Sequence, residues 1–146
     1  MPTAAKIIAA VMSAITLFLA AEASKAGLPA GTPVGYFSVI AAGIGFLTGW
    51  RVLGTLAGWG FFTSVGYGLR TAVTAVFWVL LLFSLWQMIQ LSLKMRYDGP
   101  MQAILDVFAL MIKNGRLALL PDVLVALGVG GTLAGLFAEW AGRRWN

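Results

Sequence analysis

The 146-residue chain contains no cysteine and no histidine. Without cysteine there is no disulfide framework, so the redox compartment is not legible, and no thiolate can ligate a metal or act as a nucleophile. Without histidine there is no imidazole metal site, no histidine-ligated haem and no Ser-His or Cys-His pair. Charge is scarce too. Charged residues make up 10% of the chain, and the acids are only Glu22, Asp98, Asp106, Asp122 and Glu139. Soluble chains carry about 25% charged residues. An enzyme needs positioned acids, bases or nucleophiles, and this inventory is too thin to suggest one. Neither catalysis nor a metal or other cofactor is expected.

What fills the space is apolar. Hydrophobic residues reach 60%, and the mean hydropathy is +0.91. A chain this size, with room for one domain, could not cover so much apolar surface in water, so lipid is the expected solvent. The net charge of +5 comes from single or paired basic residues at the ends of apolar runs. No block of five exists, which argues against a nucleic-acid arm. Lipid head groups are the expected partners of such charges.

The longest charge-free stretch lies between Arg70 and Lys94 and holds 23 residues. As a helix it would reach roughly 34 Å, enough to cross a hydrocarbon core of about 30 Å. Residues 71–93 are therefore predicted to span, with Arg70 at one end and Lys94, Arg96 and Tyr97 at the other. Three further spans are predicted at residues 4–22, 34–50 and 118–138. The first also has a signal-peptide pattern, with Ala21-Glu22-Ala23 before Ser24; we expect it to be retained. Residues 25–33 read as a turn on their prolines and glycines. Residues 52–69 carry no charge but five glycines, and read as an interfacial or packed connector, with a re-entrant loop or fifth span as alternatives.

Asp98-Gly99-Pro100 is a helix stop. Residues 101–113 then read as an amphipathic helix at the membrane interface, ended by Asn114-Gly115. Pro121 suits a first helical position, and Asp122 suits the positive end of the helix dipole, with a proton or ion role as the alternative. The terminal EWAGRRWN reads as an interface anchor. The expected fold is thus all-α: a bundle of four transmembrane helices plus one interfacial helix. It places both termini on one side. Basic residues tie five to five across the two sides, so the positive-inside rule gives no orientation. The tryptophan clustering leans toward cytoplasmic termini.

Small residues at spacing four mark packing faces: Ala41, Gly45 and Gly49 on the second span, and Gly131 and Gly135, with Gly128 adjacent, on the last. On the third span Phe83, Gln87, Gln90 and Lys94 share a sector. Gln87 and Gln90 would serve as glue to a neighbouring helix or line a polar cavity.

The opening MPTAAK, GWR at 49–51, RYDGP at 96–100 and EWAGRRW at 139–145 together look like one family. On these motifs the chain resembles the Trg-type tellurite-resistance membrane proteins of alphaproteobacteria. The resemblance implies a small multi-span inner-membrane protein linked to tolerance of tellurium oxyanions, without an established mechanism or binding site. Arg51, Arg96, Tyr97, Asp98, Gly99 and Pro100 are the motif positions to mutate first. An accessory subunit of a larger respiratory or photosynthetic membrane complex is the alternative, as is a small transporter working as a homo-oligomer.

Overall fold

The computed structural model describes residues 4–25, 36–56, 58–95 and 98–145, the side chain of Leu117 excepted. Residues 26–33 of the turn predicted at 25–33, residues 34 and 35 at the start of the second span, and Arg96 and Tyr97 lie outside the described residues. Five helices follow one another: α1 (Ala4–Lys25), α2 (Phe37–Leu56), α3 (Phe61–Leu93), α4 (Pro100–Ala118) and α5 (Pro121–Trp145). The described residues contain no strand. Four of the helices, α1, α2, α3 and α5, are long and apolar enough to cross a membrane.

The core is built of small side chains. One cluster joins Leu17, Ala21, Ala41, Ala75 and Val79, and a second joins Ala9, Leu53, Ala134 and Ala138. Large apolar groups point outward instead, with Phe62 95% exposed and Trp59, Val73, Trp86 and Leu93 also turned out. That inversion suits a bundle whose surface meets lipid and whose helices meet through small residues. Ala9 shares a core cluster with Ala138, so the start of α1 and the end of α5 lie at the same end of the bundle.

Several boundaries differ from the sequence expectation. α1 continues past 22 to Lys25, whose ammonium pairs with Glu22 one turn back at 2.7 Å. α2 reaches Leu56 and widens into a π-helical turn over Gly49–Leu53. On a straight α-helix, residues four apart drift by about 40° per step, so Gly45, Gly49 and Leu53 would rotate off α1. The wider turn takes up that drift. It keeps Gly45 against Ser13, Gly49 against Ala9, and Gly54 against Lys6.

The expected connector at 52–69 is not a connector. Its first part completes α2, Gly58 and Gly60 form a turn, and the rest opens α3. Both turn glycines have positive φ, 109° and 114°, where a side chain would be strained. Gly68, beyond the turn, is tolerated because close packing offsets its poor helix propensity. A Cβ on Gly68 would run into the Gly131 carbonyl of α5. α3 therefore has 33 residues rather than the 23 between its charges, and is about 50 Å long. It stops at Leu93, with Met95 in the left-handed region at φ 53°.

α4 does not end at Asn114-Gly115 but runs on to Ala118. It lies antiparallel along the last turns of α3: Asn114 meets Ser84 and Gln87, and Gly115 faces Leu80. After the two-residue turn at Leu119 and Leu120, α5 starts at Pro121 with Asp122 in its first turn. It runs through the expected terminal anchor to Trp145.

Candidate functional site

Glu139 is the one wholly buried acid among the described residues, with 0% of its surface exposed. It sits on α5 two turns beyond Gly131 and one beyond Gly135, so all three share the face that packs against α3. There the α2–α3 turn comes to it. The Gly58 N–H donates to Oε2 at 2.6 Å, and the Gly60 N–H to Oε1 at 3.1 Å. The Ser64 hydroxyl, itself buried in the first turn of α3, donates to Oε2 at 2.9 Å. From one turn further along α5, Arg143 Nε donates to Oε1 at 2.8 Å. The Arg143 guanidinium also stacks over Phe61, 4.6 Å from the ring centre.

The local logic is clear. The first backbone N–H groups of a helix have no intrahelical acceptor. Gly60, the residue before α3, has no side chain to cap it. A carboxylate delivered from another helix pairs the N–H groups of the turn that leads into α3, Gly58 and Gly60, and its charge favours the positive end of the α3 dipole. Charge-assisted bonds from several donors make this a strong junction. The expectation of Glu139 as an interfacial anchor is therefore corrected: it is a buried latch holding the α2–α3 turn to α5. Its neighbours do form an exposed aromatic end, with Arg144 over Trp140 and Trp140 edge-on to Trp145 at 5.4 Å.

The other sequence-selected residues do not converge. Arg51 is exposed in the π-helical turn, and Asp122 is exposed in the first turn of α5. Asp98 is exposed too, its backbone N–H donating to Gln102 Oε1 at 3.0 Å. Gln87 acts as the expected glue to a neighbouring helix, its Oε1 accepting from the Asn114 amide of α4 at 2.8 Å. Gln90 is exposed, while Phe83 leans on Phe37 with ring centres 4.8 Å apart. Of the packing residues, Ala41 is buried in the core, Gly45 and Gly49 press on α1, and Gly131 and Gly135 press on α3. A Cβ on Gly128 would meet nothing within 4 Å; Gly130 takes the contact instead, against Thr16 of α1. α5 has two packing faces, and Gly128 lies on neither.

At the opposite end of the bundle a small apolar cleft opens between Phe37, Val79, Phe83, Ala118 and Val123, with Ser24 and Asn114 also lining it. Among the described residues no three His, Cys, Asp or Glu side chains lie close enough to hold a metal ion. Set against known protein families, characterised proteins and solved structures, the chain matches none.

Proposed function

We propose that this protein is a non-catalytic accessory subunit of the bacterial inner membrane, contributing to tolerance of tellurium oxyanions by docking to another membrane protein. The carrying observation is the uneven cover of the spanning helices. Only 17% of the most apolar stretch of α3 is buried, against 44%, 39% and 33% for α1, α2 and α5. A bundle that packs three spans and leaves the longest one largely uncovered has a surface suited to lateral association. The buried polar groups support the same reading, since Glu139 and Asn114 are committed to holding the chain together. The tellurium link comes from the motif resemblance, and the cytoplasmic placement of the termini from the tryptophan clustering.

The test is deletion of the gene, with growth measured across a tellurite series, beside purification of the tagged protein in mild detergent. The expected result is lowered tellurite tolerance and stoichiometric co-purification with a membrane protein. Unchanged tolerance would remove the tellurium assignment, and a lone monodisperse species would remove the accessory role.

A further inference from the structure

Arg70 was expected to mark the end of a span, yet it lies inside α3, nine residues past its first residue Phe61. Its neighbours fix its height. Gly68 packs on Gly131, close to the midpoint of α5. Thr71 lines a small pocket with Ser13 and Thr16, close to the midpoint of α1. Arg70 is thus at mid-height of the four-helix body, and its side chain is exposed. It is nine residues from Phe61, about 14 Å along the axis, and an arginine side chain covers only about half of that by snorkelling. A lipid-facing guanidinium at that depth is costly and calls for a partner. Among the described residues no side chain pairs with it.

The surrounding face is shaped for another helix. At 100° per residue, Thr63, Gly66, Arg70, Val73 and Phe77 fall in one sector, and all are exposed. A Cβ on Gly66 would meet nothing within 4 Å, so the backbone there is open to close approach. A second copy of this chain does not supply the counter-charge. Glu139 is committed to the latch, Glu22 and Asp122 lie at the far end of the body, and Asp98 and Asp106 lie on the loop before α4 and on α4 itself.

We infer that the exposed α3 face centred on Arg70 docks a transmembrane helix of a different protein, one carrying an aspartate or glutamate at mid-bilayer depth. This rests on the accessory reading and adds the surface and the chemistry of the partner. The experiment places a photo-crosslinking amino acid at Val73 of the full-length protein in native membranes. One discrete adduct is expected, to a protein with a carboxylate inside a spanning helix. Arg70→Leu should lower its yield about tenfold while leaving thermal unfolding in detergent unchanged or raised. Arg70→Asp combined with reversal of the partner's acid to arginine should restore it. Adducts only with lipid, adducts only with a second copy, or a partner adduct indifferent to Arg70→Leu would each overturn the inference. In that last case co-purification would persist and the accessory reading would stand; absence of any partner would end both.

Discussion

Replacing Glu139 by alanine is the sharpest perturbation the fold offers. The substitution removes the acceptor for the Gly58 and Gly60 N–H groups and the Ser64 hydroxyl. A buried donor left unpaired costs roughly 1–3 kcal/mol. Ser64 is 1% exposed and bears that cost in full, whereas Gly58 is exposed and Gly60 half-buried, so water recovers part of theirs. Arg143 is 56% exposed and loses little when freed. The total is about 3 kcal/mol, which for a chain of this size lowers the unfolding midpoint by roughly 6–12 °C. Thermal unfolding in mild detergent, followed by circular dichroism, measures it. The pairing is tested by a cycle with Ser64→Ala. Alone, Ser64→Ala should destabilise by about 1 kcal/mol; on top of Glu139→Ala it should be neutral or stabilising, because it removes an orphaned hydroxyl. A Glu139→Ala shift below about 2 °C, or strict additivity with Ser64→Ala, would refute the latch.

The glycines of α3 and α5 should separate into two classes under the same assay. Gly68→Ala and Gly135→Ala drive a Cβ into backbone carbonyls of the facing helix and should destabilise by about 1–3 kcal/mol. Gly66→Ala and Gly128→Ala meet nothing and should be neutral or gain up to about 1 kcal/mol from helix propensity. Asn114→Leu should cost about 1–2 kcal/mol by leaving Gln87 without its donor, and a further Gln87→Leu should recover part of it. Because the chain has no native cysteine, Trp59→Cys and Asp98→Cys give single labelling sites at the two ends of α3. Membrane-impermeant thiol reagents should reach them from opposite sides, and labelling of both from one side would sink the four-span topology.

Spanning character and the number of spans were legible because they depend on composition and run length, which need no partner. The Gly45–Gly49 and Gly131–Gly135 faces were legible for a similar reason: helical spacing puts small residues on one side whatever they meet. The phase of α3 was not. A hydropathy reading treats Arg70 as a terminus, because it measures one helix at a time. Height in a bundle is set by neighbours, and here Gly68 and Thr71 are held at the middle of α5 and α1. Counting five glycines against helix in 52–69 had the same defect, since Gly68 is where two backbones touch. The pairing of Gln87 with Asn114, 27 positions later, has no local signature. Glu139 did have one: it continues the spacing of Gly131 and Gly135, and an acid in register with a packing face is an acid to be buried and bonded.

The two polar junctions divide the molecule unequally, and that makes their independence testable. α1, α2 and α5 have 22, 20 and 25 residues, whereas α3 has 33. Near the level of Phe83, where it meets Phe37 at the start of α2, α3 leaves the four-helix body and continues beside α4 alone. The latch at Glu139 closes one end of the body; Asn114 ties the α3–α4 hairpin over the cleft at the other. Between them lie two small-residue core clusters rather than a shared polar network. Sites that far apart with no common partner should have additive effects within about 0.5 kcal/mol. Glu139→Ala combined with Asn114→Leu should therefore unfold at the sum of the two shifts. A coupling well above that limit would mean that α3 transmits strain along its length, and that the hairpin and the latch work as one device.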